Sequence, residues 1–317
     1  MILGLKKLRV VIFAGFLICV QLSLTVSAEL KVGVIIPELR APFKVIFDNV
    51  GIGIDDTLNK KTPKLILGKN YDPQSIGRWI EKENINAVIT LGGVGQKSAV
   101  YVPRGIPVVL GALLSSPGAT NKFPGVALTP NPKSLFELLK QLDSQRKKVI
   151  VVYNPEKNGW LVELAKRQSA TNGVQLVAYE ATDIKQAAII YDEVFNGVEL
   201  EKIAIWLLQD RKVVDSKVVL PFIVEKAWQK KIVVFSSVLS HVKKGVLFSM
   251  YPENKLHGKQ LANLVLSESA RLSSSGNKLY PTEGLQDAVN SRTAEHLGLN
   301  ISRTQLREFD LVFPVSN

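Results

Sequence analysis

The sequence predicts an α/β protein made of two doubly wound lobes, each a parallel sheet with helices on both faces. Three observations predict it. Short β-branched runs alternate with amphipathic helical stretches along almost the whole chain, the pattern of parallel strands joined by right-handed crossovers. In the stretch KKVIVVYNPEKN (Lys147–Asn158), Val149 to Val152 are apolar at consecutive positions, as a strand covered on both faces must be. That stretch also opens a second strand–helix series after a first has been completed, and the chain is long enough for two lobes of ordinary size.

The first residues stand outside this scheme. Lys6, Lys7 and Arg9 precede an almost wholly apolar run, Val10–Val26, and Val26-Ser27-Ala28 offers small residues for cleavage before Glu29. This reads as a secretory signal peptide cut after Ala28, the run being short for a bilayer span. The single cysteine, Cys19, lies in this leader behind Ile18, not behind the small residue a lipoprotein signal needs. The mature chain is therefore expected to be exported and cysteine-free, and the resemblance given below places it in the periplasm. Removing the leader leaves 289 residues and lowers the net charge from +12 to +9.

In the first series, Lys31–Ile36 is a strand closed by Pro37, and Phe43, Ile46, Phe47, Val50 and Ile54 fall on one helical face. Leu65–Leu67 is a short strand. Asp72-Pro73 caps a helix with Ile76, Trp79 and Ile80 inward. Ala87–Leu91, Pro107–Leu110 and Gly125–Leu128 are further strands, and Asn131-Pro132 opens a helix carrying Leu135, Leu138, Leu139 and Leu142. In the second series the pivot strand ends at Tyr153-Asn154-Pro155 and a helix with Leu161, Leu164 and Ala165 follows. Then come the strand Gln175–Tyr179, a helix capped by Asp183, the strand Ile203–Leu208, a helix over Asp215–Gln229 and the strand Ile232–Ser236. Val246–Met250, a helix from Glu253 to about Arg271 and the tail join one lobe or the other. The Ser273–Gly276 run is a loop.

The basic excess does not imply nucleic acid. The doublets Lys60-Lys61, Lys147-Lys148, Lys230-Lys231 and Lys243-Lys244 each precede an expected strand, where a helix ends and cations suit its dipole. That is the sheet edge opposite the one where ligands bind in open α/β sheets. An enzyme has no positive signal: HExxH, CxxC and GxSxG are absent, and His241, His257 and His296 lack metal-ligand spacing. No cofactor or metal is expected. Asp55-Asp56 reads as a helix end, not an acid–base pair.

Binding has more support. Ala87–Leu91 runs into Gly92-Gly93-Val94-Gly95-Gln96, where glycines let backbone N–H groups approach a ligand and a helix start favours a carboxylate. A tight turn needing positive φ explains the glycines equally well. Small polar residues recur after the other strands: Ser115 and Ser116, Tyr153 and Asn154, Gln209 and Asp210, and Ser237. Singly each suits a helix cap; jointly they line the ligand edge. The candidate ligand-binding set is thus Gly92, Gly93, Gln96, Ser115, Ser116, Tyr153, Asn154, Gln209, Asp210 and Ser237. Asp210 is the choice for an ammonium partner, although Arg211 beside it could neutralise it. Glu38 and Arg40 rank below these.

Three stretches in order carry a resemblance: Tyr153–Asn158 (YNPEKN), Val234–Leu266 and Ala288–Ser302 (AVNSRTAEHLGLNIS). The chain from about Ala87 onward resembles the substrate-binding proteins of ABC transporters, tryptophan/tyrosine-type group; the match is poor over Glu38–Leu67. The resemblance implies a type I periplasmic-binding fold, with two lobes closing on a ligand about three crossovers. These are expected around Thr129–Pro130, Ser240–Gly245 and Pro281–Val289. Residues 29–130 with about 245–281 then form the N-terminal lobe, and 131–244 with about 282–317 the C-terminal lobe. The expected function is a secreted, monomeric solute-binding protein that delivers a small ligand, such as an amino acid or related carboxylate, to a membrane ABC permease. The alternative is a ligand sensor docking on a receptor such as a histidine kinase. A DNA-binding regulator of similar fold is disfavoured by the leader.

Overall fold

The computed structural model describes residues 29–113, 123–197, 199–270 and 278–315. The expected leader with Cys19, Ser115, Ser116 and the Ser273–Gly276 loop lie outside these. The chain forms β1 (Val32–Pro37), α1 (Phe43–Leu58), β2 (Lys64–Leu67), α2 (Gln74–Glu83), β3 (Ala87–Leu91), α3 (Gly92–Ser98), β4 (Val108–Leu113) and β5 (Gly125–Pro130). The second series is α4 (Pro132–Leu142), β6 (Lys148–Tyr153), α5 (Pro155–Thr171), β7 (Gln175–Glu180), α6 (Ile184–Phe195), β8 (Ile203–Leu207), α7 (Val219–Lys230), β9 (Val233–Ser236), α8 (Leu239–Val242) and β10 (Phe248–Pro252). Next come α9 (Asn254–Ser269), β11 (Leu279–Thr282), β12 (Leu285–Asn290), α10 (Ser291–His296), α11 (Arg303–Leu306) and β13 (Leu311–Phe313).

The strands make two sheets, in the orders β11-β5-β4-β3-β1-β2 and β13-β12-β10-β9-β8-β6-β7. All pairings are parallel except β10 with β12. Consecutive apolar residues on β6 split between two faces. Val149, Val151 and Tyr153 join a cluster with Phe136, Leu161 and Trp206, while Ile150 and Val152 join another with Tyr191, Leu220 and Ile223. The first sheet is covered likewise, by α1 and α9 on one face and α2 on the other. There α1 and α9 approach so closely that a Cβ at Gly53 would lie 1.9 Å from the Lys255 carbonyl oxygen.

The capping residues act as the sequence suggests. Asn131, Asn154 and Asp183 each accept a backbone N–H at the start of α4, α5 and α6, with proline opening the first two. Asp215, expected to begin α7, instead accepts the N–H groups of Lys217 and Val218, and the helix starts at Val219. β4 extends three residues beyond the expected Leu110.

One boundary differs in kind. The resemblance puts the segment after Gly245 in the first lobe, yet β10 lies between β9 and β12 in the second sheet. The second passage between lobes is therefore at Pro252–Asn254, not Ser240–Gly245. The apolar run at Val246–Met250 fits either sheet; pairing with β9 places it. The antiparallel strand has the same origin. β12 enters the second sheet only two residues after β11 leaves the C-terminal edge of the first, so it starts at the edge where β10 ends and runs opposite to it.

Candidate functional site

The chain passes between the sheets three times: from β5 through Asn131 to α4, from β10 through Glu253 to α9, and from β11 through Glu283-Gly284 to β12. Each passage leaves from the C-terminal end of a parallel strand. The passages lie side by side, since Asn131 N–H donates to the Thr282 carbonyl at 3.1 Å and Glu253 N–H to the Gly284 carbonyl at 2.9 Å. The Asn131 side-chain amide also donates to Glu283 at 2.9 Å. Links this short turn the C-terminal edges of the two sheets toward each other.

Each sheet has its topological switch point on that edge. In the first, β2 lies on one side of β1 and β3 on the other; in the second, β7 and β8 flank β6. Crevices at such points are where open α/β sheets bind ligands. The first switch point is bounded by Pro37 and Gly92, the second by Tyr153-Asn154 and Gln209-Asp210.

At the first edge, Gly92 begins α3 with φ +69°, and a Cβ there would stand 3.2 Å from the Phe47 ring. The turn thus requires this glycine irrespective of any ligand. Gly93 is exposed with open space above it, and Gln96 is half-buried one turn along. Beneath them the Thr90 hydroxyl is buried without a hydrogen-bond partner.

At the second edge the polar groups are buried and engaged with one another. Asn154 caps α5. Asp210 is 3 % exposed; it accepts from the Asn158 side-chain amide at 3.0 Å and from Lys212 N–H at 3.0 Å, and Lys157 Nζ lies 3.8 Å away. Lys157 and Asn158, not the exposed Arg211, are therefore the carboxylate's partners. Both sit on the first turn of α5, next to the capping Asn154. Their positions were visible in YNPEKN, but the loop they would meet was not. The Tyr191 hydroxyl is buried without a hydrogen-bond partner; burial and then the Asp210 charge push its pKa up. Thr90 and Tyr191 carry the two such orphaned atoms among the described residues.

Other candidates have structural partners. The Tyr153 hydroxyl donates to Glu180 at 2.9 Å, and burial followed by that bond raises its pKa to about 12. Ser237 accepts from Trp206 Nε1 at 3.0 Å. Gln209 is half-buried in the turn after β8. Beside Ser237, and missed from sequence, Ser236 Oγ lies 2.9 Å from Nδ1 of the buried His241. Burial, then the Lys244 charge, lowers the His241 pKa to about 4.

Asp55 is buried against Thr62, Lys61 and Lys64; burial raises its pKa, but the Thr62 hydrogen bonds and Lys64 charge outweigh this and lower it overall. Among the described residues no group of three or more His, Cys, Asp or Glu side chains could hold a metal, and no helix is long and apolar enough to cross a membrane.

Solved structures share the architecture. A substrate-binding protein with adhesive properties from Clostridium difficile, CD0873, in its ligand-free open form, matches at TM-score 0.60 and 17% identity, over 89% of this chain and 99% of that one. An ABC domain in complex with L-Trp from Streptococcus pneumoniae matches at TM-score 0.52 and 17% identity, over 90% and 99%. A conserved domain protein from Vibrio cholerae matches at 0.50 and 20%, over 89% and 99%. The fold is thus that of the type I periplasmic-binding proteins. No curated protein sequence matches significantly. The model of the ABC transporter substrate-binding proteins matches residues 78–303, more than two-thirds of the chain. The chain belongs to the ABC transporter substrate-binding protein family.

Proposed function

We propose that this chain is an exported, monomeric solute-binding protein that closes on a small ligand, an amino acid or related carboxylate, and delivers it to a membrane ABC permease. The observation that carries this reading is the geometry of the three passages, which turns both switch edges toward one crevice. A ligand there touches both lobes and so shifts the balance between open and closed forms. The Gly92–Gln96 backbone would meet a carboxylate, with Ser115 and Ser116 as further candidates from the sequence. Asp210 would take the ammonium, trading its long contact with Lys157 for a shorter one. Asn154 would help fix the α5 end of the site.

Thermal unfolding of the chain from Glu29 tests this against a panel of amino acids and small carboxylates. L-Trp comes first, since it is the ligand named with the Streptococcus structure. A ligand at a hundredfold excess over its Kd stabilises by about 2.7 kcal/mol. The expected outcome is a rise in Tm with one amino acid that Asp210→Ala largely abolishes. A panel that leaves Tm unchanged would overturn the amino-acid reading.

A further inference from the structure

His257 lies one turn into α9, fully buried on the face that covers the first sheet. Ala112 N–H donates to its Nε2 at 3.1 Å, and the ring's Nδ1 lies 2.9 Å from Thr282 Oγ1. An amide can only donate, so Nε2 is the bare nitrogen and the proton of the neutral ring sits on Nδ1. Nδ1–H then donates to the Thr282 hydroxyl, which donates to the Ala127 carbonyl at 2.7 Å. Every hydrogen in this chain has one acceptor.

Each anchor lies where the sheet is irregular. Ala112 has φ +53°, in the left-handed region, and the β4–β5 pairing shifts between Leu110 and Leu113. The β11–β5 pairing shifts between Tyr280 and Thr282. At these shifts the ladder cannot serve every backbone group, and the imidazole and the Thr282 hydroxyl serve the remainder. Thr282 ends β11 at the third passage, and its carbonyl holds Asn131 of the first. Ala112 stands at the exit of β4, on the crevice edge. The ring therefore joins the strand exit to the hinge.

We propose that His257 is a positioning residue, fixing the left-handed exit of β4 and tying it to the third passage, so that strand exit and hinge move as one body. The closing motion in this statement rests on the solute-binding reading; the tie itself does not. Among the described residues burial is the sole influence on the ring's pKa, with no charge acting on it. Of the acids on elements packed around it, Glu253 of α9 holds Leu256 N–H, Asp55 of α1 holds Thr62, and Glu283 of the passage holds Asn131. Burial alone lowers the His257 pKa to about 4.

Hydrogen exchange of the Ala112 amide, followed by NMR without ligand, tests the tie. His257→Leu keeps the bulk but not the bonds, and should speed exchange at Ala112 about a hundredfold while amides of Val149–Val152 keep their rates. His257→Gln, whose side-chain oxygen and NH2 can replace acceptor and donor, should restore protection. In the parent chain, acidification through about pH 4 should release the Ala112 amide, because a protonated Nε2 faces it with a second N–H. The Gln variant should lack that step. Equal Ala112 exchange in the parent and Leu variant, or an acid step that persists in the Gln variant, would overturn the proposal. If the Leu variant does not fold, the Gln variant and the acid step decide. Because no ligand is used, failure here leaves the solute-binding reading intact, and a silent ligand panel leaves this tie intact.

Discussion

The two switch edges are built on opposite principles. The first is a backbone edge: Gly93 leaves room above β3 while Gly92 packs tightly against Phe47, and a single imidazole below ties the neighbouring β4 to the third passage. The second is a side-chain edge, where Asn154, Asn158, Asp210, Ser236, Ser237 and His241 are buried and mostly bonded to one another or to backbone. Backbone donors cost nothing to expose and can meet any acceptor. Buried side chains must be satisfied before a ligand arrives, so a ligand reaches them only by exchange for an existing partner. At the first edge Gly93 stands open, whereas the buried groups of the second edge already have partners.

The largest expected effect tests whether both edges rest on neutral histidines. Folded His257 and His241 titrate at about 4, against 6.5 for an ordinary histidine. Between those values the unfolded chain binds protons that the native chain does not, so stability falls as pH falls. It is full above about 6.5, and each ring costs roughly 3 kcal/mol by pH 4. Urea unfolding at pH 7.5 and 4.5 should show the loss. His257→Gln and His241→Asn should each remove about half of it, and a loss unaffected by either would break the symmetry.

Asp210→Ala comes next. It strands the Asn158 amide and the Lys212 N–H, a cost of about 1–3 kcal/mol, while the partly exposed Lys157 turns to water. Denaturant midpoints measure it; an unchanged midpoint would mean that the second edge is less tightly bound together than its distances suggest.

The smallest effect separates two neighbouring glycines. Gly92→Ala forces a side chain into positive φ beside Phe47 and should cost about 1–2 kcal/mol. Gly93→Ala meets nothing within 4 Å and should be neutral or stabilising by up to about 1 kcal/mol. If Gly93 lines the ligand site, the same change weakens binding in the titration that detects the ligand. Stability and affinity then move in opposite directions at one residue.

Much of this was legible in local sequence. The unbroken runs at Ala87–Leu91 and Val149–Val152 are buried on both faces, and Asn131, Asn154 and Asp183 cap as their spacing suggests. The first passage falls at Pro130 because a proline and a capping asparagine stop one element and start another. The candidate site was legible as an edge, not as a set of bonds. Tyr153 turned to Glu180 and Ser237 to Trp206, partners 27 and 31 residues away that no local pattern specifies. The sheet chosen by β10 was hidden for the same reason, since an apolar run does not name its neighbour.

What the sequence determined by itself is therefore periodic and local: which stretches are strands or helices, where they stop, and that polar residues gather after the strands. Burial of apolar faces and the capping of nearby N–H groups act within a few residues, so they can be read along the chain. Only the tertiary structure decided the passage at Pro252, the capture of Asp210 by α5, and the placing of His257 between Ala112 and Thr282. The passage follows from β10 pairing with β9; the other two arise where the packing of distant segments leaves a polar group without a regular partner, and a side chain from elsewhere in the sequence supplies one.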